Sequence, residues 1–388
     1  MPSNLGATIP PWLVRASEDT YQRAVFAELS KREKERSSYR RTPPTNTSAS
    51  TLLKFLPGKS TLSQPEKPDL PKYYSVAIGC DPANRWGNRY SNIEPYDRTC
   101  VVVGISGTGC RLGCGEGQGR YFNGSWVKEL HGQKLWIATQ APLRDTVHAY
   151  LSVLSQPVGS SSDPSFPQGS RVHTVVQLTR SVEKGRVKAY PYFSDIVGES
   201  MIVAPEPGID ARPFIVTLQE QRSIPDANCV QSTVSFVPQG EIPAKSFTFT
   251  RMLYTAWPDH GIPEEEDQAS LLKFVRLVDR VNKSPRAGAG ESDPPMMVNC
   301  SAGVGRTGSF IALSSLLRFH NLIDTSSPTP LYPSDPALIS PSLLGPLSQF
   351  DPVAQEIDAL REQRPEMVQR NEQVALIYQI LEQAFLDK

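Results

Sequence analysis

Residues 296–313, MMVNCSAGVGRTGSFIAL, decide the fold, because they combine a short apolar strand, a glycine-containing loop and an amphipathic helix. The loop runs from Cys300 to Arg306, with five residues between them. This spacing lets backbone N–H groups and the helix N-terminus converge on one anion, while Gly303 and Gly305 permit close approach. The Arg306 guanidinium can then bind two phosphate oxygens. We therefore expect a phosphate site built from Arg306 and the amides of Ser301, Ala302, Gly303, Val304 and Gly305.

The candidate nucleophile at this site is the thiol of Cys300. The thiolate is the reactive form of cysteine, and a loop that binds phosphate also favours negative charge on sulfur. The alternative is an inert buried cysteine beside an ordinary glycine-rich turn. The strand–loop–helix context, with Thr and Gly after the arginine, favours catalysis.

CSAGVGRTG, residues 300–308, resembles the signature loop of the cysteine-dependent, tyrosine-specific protein-tyrosine phosphatases, and we expect the non-receptor type. The resemblance implies a single α/β catalytic domain with a twisted, mixed β-sheet flanked by helices. It also implies hydrolysis of phosphotyrosine in proteins through a cysteinyl-phosphate intermediate, without metal or cofactor. Thr307 would then help the thiolate to leave, although helix N-capping is an alternative role.

One departure from the family lies next to the nucleophile, where Asn299 replaces the usual histidine. An amide donates hydrogen bonds but carries no charge. We therefore expect a shifted pH optimum rather than abolished chemistry.

A proton donor is expected in TAWPDHGIP, residues 255–263, which resembles the mobile WPD loop of the same family. The resemblance makes Asp259 the general acid, and Trp257 and Pro258 parts of the hinge. Taken alone, Trp-Pro-Asp is more often an ordinary turn.

NRYSNIEPYD, residues 88–97, resembles the segment that lines the phosphotyrosine slot. Tyr90 would stack on the substrate ring and set a depth that favours aryl over seryl phosphates. The alternative is that Tyr90 is an ordinary core aromatic. Gly87 and Asn92 stand where the family often has lysine and aspartate, so contacts of Asn92 with a peptide backbone are left open.

Three further segments resemble supporting parts of the family. WIATQAP, residues 136–142, is similar to a structural segment. In VVQLTRSVEKGRVKAYPYF, residues 175–193, the resemblance pairs Glu183 with Arg306 and brings Lys188 to the closed acid loop. In QRPEMVQRNEQVALIYQIL, residues 363–381, Gln369 and Gln373 would orient the water that hydrolyses the cysteinyl phosphate.

The remaining sequence suggests three parts: an N-terminal helical segment (1–40), a Pro/Ser-rich linker (41–72) and a catalytic domain (73–388). Linker-like composition predicts disordered insertions at 157–170, 283–295 and 324–352. Strands are expected at 99–105, 172–178, 213–218, 230–237 and 246–254, and helices at 18–37, 265–282, 307–322 and 371–386.

Composition narrows the class of protein. The chain has 388 residues, of which 39% are hydrophobic, so it can bury a sizeable core. Its 40 basic and 40 acidic residues give no global field for nucleic acid or an anionic membrane. Six cysteines do not suggest a disulfide framework, and no secretory signal or membrane-spanning run is apparent. We expect a protein of the cytoplasm, the nucleus or both, acting on phosphotyrosine proteins; the proline-rich segments identify no partner.

Two other signals point to no further site. GTGCRLGCGEGQG, residues 107–119, lacks the glycine spacing of a dinucleotide loop and the second ligand pair of a zinc site. We expect a flexible hairpin insertion there; the alternative is that Cys110 or Cys114 is redox-active. The histidines form no cluster with ligand spacing, so no metal site is expected. The main alternative function is a pseudophosphatase that binds phosphotyrosine with little turnover.

Overall fold

The structure is a computed structural model of the 388-residue chain. It describes residues 9–41, 69–104, 119–157, 171–259, 261–284, 293–323 and 342–388. The hairpin insertion predicted around Cys110 and Cys114 lies outside these residues, as do most of the predicted linker and most of the insertions at 157–170 and 283–295. The division into domains therefore stays a prediction.

The described residues form eleven strands and nine α-helices. The strands are β1 (Cys100–Val103), β2 (Arg120–Lys128), β3 (Leu135–Gln140), β4 (Thr174–Gln177), β5 (Val182–Glu183), β6 (Arg186–Val187), β7 (Ser200–Val203), β8 (Phe214–Ile224), β9 (Cys229–Pro238), β10 (Phe247–Tyr254) and β11 (Met296–Cys300). The helices are α1 (Pro11–Ala16), α2 (Asp19–Arg41), α3 (Leu70–Tyr73), α4 (Ala77–Cys80), α5 (Val147–Ser155), α6 (Glu265–Lys283), α7 (Gly305–Phe319), α8 (Pro352–Gln363) and α9 (Asn371–Leu386).

Nine strands of the described residues make one sheet, in the order β1-β2-β3-β11-β4-β10-β9-β8-β7, and β5 and β6 pair separately. The four central strands β3, β11, β4 and β10 are parallel, whereas the flanking strands pair antiparallel. The mixed sheet flanked by helices confirms the predicted α/β fold. Strand β11 is central and parallel to both neighbours. Its carboxyl end therefore lies with the carboxyl ends of the neighbouring parallel strands, where ligands of open α/β folds bind.

Two hydrophobic cores cover the two faces of the sheet. Met296 and Val298 belong to the larger core, which includes residues of α1, α2 and α6 to α9. Met297 belongs to the other core, which includes most of α5. This alternation follows from the two-residue period of a strand, and it explains why β11 is apolar along most of its length and wholly buried.

Helix α2 joins the larger core through charge as well as apolar contact. Arg32 binds the Asp358 carboxylate with Nε–Oδ1 and Nη2–Oδ2 distances of 2.9 and 2.7 Å. Arg36 is fully buried and contacts both Asp358 and Glu362. Buried arginines of this kind need such partners, because an unpaired charge in the interior is costly.

Each predicted strand and helix has a counterpart in the structure, although β8 continues to Ile224, beyond its predicted end at residue 218. Among the elements that the sequence did not reveal are β2, β3, β7, α1, α5 and α8. The insertion predicted at 324–352 extends too far, because residues 342–352 belong to the packed structure. Leu347 is in the larger core, and the Asp351 side chain caps α8 by accepting hydrogen bonds from the N–H groups of Val353 and Ala354. Among the described residues, no helix is both long and apolar enough to cross a membrane.

Candidate active site

The phosphate loop, residues 300–306, joins the end of β11 to the start of α7. Gly303 has φ +72°, and a Cβ there would lie 2.2 Å from the carbonyl oxygen of Thr139. Only glycine therefore fits this turn. The Gly303 N–H donates to the Cys300 sulfur at 3.3 Å, and Cys300 is buried. The loop thus directs the Gly303 N–H at the thiol and leads directly into the N-terminus of α7.

The remaining residues of the phosphate loop are buried or partly buried around Cys300. Ser301 and Ala302 are partly buried, and Val304 and Gly305 are buried at the start of α7. The structure therefore places all of the predicted anion-binding residues in one loop around Cys300. Their role in binding substrate stays a prediction.

Arg306 is fixed by a forked ion pair. Its Nη1 and Nη2 lie 2.8 and 3.0 Å from the two carboxylate oxygens of Glu183, and Nη1 also donates to the Leu178 carbonyl at 2.9 Å. Both side chains of the pair are about nine-tenths buried. Such a bidentate pair holds the planar guanidinium in one orientation.

Asp259 lies over the phosphate loop. Its Oδ1 is 3.6 Å from Arg306 Nη2, and its Oδ2 is 3.0 Å from Lys188 Nζ. The structure thus brings the predicted acid, the predicted Lys188 and the loop arginine together, as expected for a closed acid loop (residues 255–263). The roles of Asp259 as proton donor and of Lys188 as its support stay predictions.

The acid loop is anchored at Trp257, a side chain that is almost fully buried. Its Nε1–H donates to the Gly261 carbonyl at 3.2 Å, which ties the two sides of the loop together. Its ring packs edge-on against Tyr254. Pro258 is exposed at the tip. A buried anchor below an exposed tip is consistent with the predicted hinge, whose motion stays a prediction.

Tyr90 borders the same cleft. Its hydroxyl is hydrogen-bonded to Ser301 Oγ at 2.8 Å, and the side chain is 36% exposed. This exposure excludes the alternative of an ordinary core aromatic and leaves the ring open to a ligand. The preceding residue holds the segment in place, since Arg89 N–H donates to Gln140 Oε1 at 2.8 Å. Asn92 is exposed two residues further on.

Asn299 comes directly before the phosphate loop in the sequence and Thr307 directly after it, and both side chains are buried. Asn299 Oδ1 accepts a hydrogen bond from the Tyr150 hydroxyl at 2.9 Å, while its Nδ2 has no partner among the described residues. Thr307 Oγ1 is likewise buried and unpartnered within the described part of the chain. The N-capping alternative for Thr307 is wrong, because α7 begins at Gly305 and its cap position falls on Val304. The role of Thr307 in helping the thiolate to leave stays a prediction.

The two predicted glutamines occupy different places. Gln373 is buried against the phosphate loop, since a Cβ on Gly305 would lie 2.9 Å from Gln373 Nε2. Its Oε1 accepts from the Arg370 N–H at 3.2 Å. Gln369 is exposed and lines a groove of about 240 Å³ between α2 and the glutamine loop, residues 364–370. The structure therefore brings Gln373, and not the side chain of Gln369, to the phosphate loop.

Sequence reasoning missed Arg364, which supports the phosphate loop from behind. This fully buried arginine donates to the carbonyls of Gly303 and Ala302 at 2.8 and 3.1 Å and to Asn123 Oδ1 at 2.9 Å. Burial lowers the pKa of Arg364 to about 10. No local sequence pattern distinguishes this arginine from an exposed one.

No metal-binding cluster of three or more His, Cys, Asp or Glu side chains is present among the described residues. The site instead consists of a thiol, a paired arginine and a carboxylate at the carboxyl end of a parallel strand. Residues 84–325 match the family model described as protein-tyrosine phosphatase, and the chain belongs to that family.

Three human relatives illustrate the similarity. The chain is 29% identical over 236 residues to receptor-type tyrosine-protein phosphatase eta, covering 60% of this chain and 14% of the relative. It is 30% identical over 275 residues to phosphatidylinositol phosphatase PTPRQ, which covers 67% of this chain and 10% of that relative. It is 29% identical over 303 residues to receptor-type tyrosine-protein phosphatase H, which covers 77% of this chain and 21% of that relative. The matches thus span about a fifth or less of these relatives, two of which are receptor-type, and the non-receptor type of this chain stays a prediction.

Proposed function

We propose that this chain hydrolyses phosphotyrosine in proteins through a cysteinyl-phosphate intermediate on Cys300. The observation that carries the proposal is the convergence of three groups. The Cys300 thiol faces a loop N–H, Arg306 is oriented by a forked pair with Glu183, and Asp259 lies 3.6 Å from the same arginine. Nucleophile, phosphate clamp and proton donor thus surround one space.

In the first step, the Cys300 thiolate attacks phosphorus in line with the tyrosyl oxygen. The sulfur–phosphorus bond forms as the bond from phosphorus to the tyrosyl oxygen breaks, and Asp259 gives its proton to that oxygen. Arg306 and the loop N–H groups hold the equatorial oxygens. Catalysis comes from positioning and charge stabilisation, as in other phosphoryl transfers.

In the second step, water attacks phosphorus and Asp259 takes its proton. The sulfur–phosphorus bond breaks, Cys300 leaves as thiolate, and inorganic phosphate is released. Thr307 would stabilise the departing sulfur by a hydrogen bond. Gln373 is the better placed of the two predicted glutamines to orient the water, because it lies against Gly305 of the phosphate loop.

Phosphotyrosine is the favoured substrate because Tyr90 supplies a partly exposed aromatic wall, hydrogen-bonded to Ser301 of the phosphate loop. An aryl phosphate can place its ring against this wall, whereas a seryl phosphate has no ring to place there. One relative is named a phosphatidylinositol phosphatase, so inositol phospholipids are the second substrate class to test.

The test compares a phosphotyrosyl peptide, its phosphoseryl counterpart and a soluble phosphatidylinositol phosphate. Wild type, Cys300→Ser and Asp259→Asn are assayed without added metal. We expect turnover of the phosphotyrosyl peptide that disappears in Cys300→Ser and falls by roughly 10² to 10⁴ in Asp259→Asn. Peptide binding without turnover would instead favour the pseudophosphatase. Faster turnover of the inositol lipid would change the substrate class.

A further inference from the structure

The glutamine loop, residues 364–370, has an unusual backbone. Glu366 and Val368 have φ values of +63° and +54°. This left-handed region is costly for residues with a side chain, and most of all for a β-branched one such as Val368. A loop that contains two such residues needs contacts from outside to hold it.

The strained loop lies directly on the phosphate loop. Val368 N–H donates to the Val304 carbonyl at 3.3 Å. A Cβ on Gly308, in the first turn of α7, would lie only 2.4 Å from Val368 N. The backbones of α7 and the glutamine loop therefore approach so closely that only glycine fits at position 308. Gln373 follows in the first turn of α9, so its position over Gly305 depends on the path of this loop.

One buried arginine, Arg361, bonds the carbonyls of the strained segment and also reaches helix α2. Arg361 Nε donates to the Met367 carbonyl at 2.8 Å and Nη2 to the Val368 carbonyl at 2.7 Å. Its remaining nitrogen, Nη1, donates to the carbonyl of Leu29 in helix α2 at 2.9 Å. All three guanidinium nitrogens thus bind backbone carbonyls, two in the strained loop and one in the N-terminal helix. Charge-assisted bonds of this kind are stronger than neutral ones.

Helix α2 is itself fixed independently of Arg361. Arg32 and Arg36 hold it on α8 through Asp358 and Glu362. The Leu29 carbonyl is therefore presented to Arg361 by a helix with its own anchors. Helix α2, Arg361 and the glutamine loop all lie outside residues 84–325, which match the family model.

A second, weaker contact joins α2 to the glutamine loop. Arg40 Nη2 lies 3.7 Å from a carboxylate oxygen of Glu366, one of the two residues with positive φ. The helix thus reaches both ends of the strained segment, at Glu366 directly and at Val368 through Arg361.

We propose that helix α2 and Arg361 form a positioning device for the glutamine loop, which sets the place of Gln373 and thereby the rate at which the cysteinyl phosphate is hydrolysed. Arg361 is a positioning residue, since it contacts neither substrate nor nucleophile. The proposal rests on the proposed function, because it concerns the second step of that reaction.

The experiment measures the two steps separately in the full-length protein. A phosphotyrosyl peptide with a radioactive phosphate labels the enzyme, and acid quenching gives the rate constant of phosphoenzyme formation. A chase with unlabelled peptide then gives the rate constant of its decay. Both are first-order constants, so a fraction of misfolded protein lowers the amplitude and leaves them unchanged.

The variants are Arg361→Lys, which keeps the charge but reaches fewer carbonyls, and Arg36→Gln, which loosens α2 without touching the loop. Arg251→Lys is the control: this buried arginine of β10 bonds Ser232 and stacks on Phe193. We expect Arg361→Lys to slow decay by about tenfold or more and formation by less than about threefold, with a smaller effect of the same kind in Arg36→Gln. Arg251→Lys should change neither constant.

Equal slowing of both steps in Arg361→Lys, or no slowing of decay, would overturn the proposal. Unchanged decay in Arg36→Gln would overturn it as well, because helix α2 would then have no part in placing the loop. Failure of wild type to form any labelled phosphoenzyme is a different result, since it would overturn the proposed function itself.

Discussion

Glu356 is a fully buried carboxyl group behind the helix that follows the nucleophile. It accepts hydrogen bonds from the N–H groups of Leu130 and His131 at 3.1 and 3.0 Å and from Ser315 Oγ at 2.7 Å. Burial, with the nearby Glu129 as the next cause, raises the pKa of Glu356 to about 8. Glu129 also accepts a hydrogen bond from Trp136 Nε1 at 2.9 Å and, unlike Glu356, faces a cation, since Arg318 Nε lies 3.7 Å from it.

The raised pKa makes the fold less stable in alkali. Well below pH 4.5, Glu356 is protonated in both the folded and the unfolded protein and does not change the free energy of unfolding. As the pH rises towards the folded pKa of about 8, Glu356 ionises only in the unfolded protein, and this ionisation stabilises the unfolded protein relative to the folded one. Each pH unit in this window corresponds to about 1.4 kcal/mol. Between about pH 5 and about pH 7.5, Glu356 alone should therefore lower the free energy of unfolding by roughly 3 kcal/mol.

Glu356→Gln removes this titration and keeps an acceptor for one of the two N–H groups, which bond different oxygens of the carboxyl group. The lost hydrogen bond lowers the free energy of unfolding equally at both pH values, so it does not affect the pH-dependent difference. Urea denaturation of wild type and variant at about pH 5 and about pH 7.5 gives the difference in unfolding free energy at each pH. We expect that difference to shift by roughly 3 kcal/mol in favour of the variant at the higher pH. Glu265→Gln, in the exposed first turn of α6, controls for loss of a surface charge. Parallel behaviour of wild type and Glu356→Gln would refute the reasoning.

Substitutions around Cys300 test the geometry one contact at a time. Gly303→Ala should abolish turnover in a steady-state assay, because its Cβ would lie 2.2 Å from the Thr139 carbonyl oxygen; retained turnover would contradict the loop geometry. Arg180 donates two hydrogen bonds, at 3.0 and 3.2 Å, to the Thr255 carbonyl at the start of the acid loop. Arg180→Gln should therefore lower kcat by about tenfold for a substrate with a poor leaving group and much less for one that needs no proton, and equal losses would exclude a role in placing the acid. Arg364→Met should lower the free energy of unfolding by roughly 2 to 4 kcal/mol in urea, because several buried acceptors lose their donor, and an unchanged value would contradict that account.

The sequence predicted those parts of the site that local spacing controls. Five residues between Cys300 and Arg306 require a tight loop, and the structure has one. Helix α8 was missed because Glu356, Asp358 and Arg361 give it the composition of an exposed segment, although all three are buried. Their burial depends on partners far away in the chain, such as Arg32, and composition cannot reveal a pair separated by 326 residues.

Strand β2 was missed for a related reason. Asn123, Ser125 and Lys128 are buried in it, so the strand shows neither an apolar run nor clean alternation. Arg364 bonds two of these side chains, Asn123 Oδ1 at 2.9 Å and Ser125 Oγ at 3.2 Å. The polar interior of β2 and the buried arginine behind the phosphate loop therefore explain each other, and neither can be predicted alone.

The most direct test of the proposed chemistry is to locate the phosphoryl group on the enzyme. Wild type and Asp259→Asn are mixed with a phosphotyrosyl peptide, quenched in acid within milliseconds, digested and examined by mass spectrometry. The account predicts one phosphoryl group on the Cys300 sulfur, absent from Cys300→Ser. Phosphotyrosine turnover with no phosphoryl group on Cys300, or with one on another residue, would contradict it.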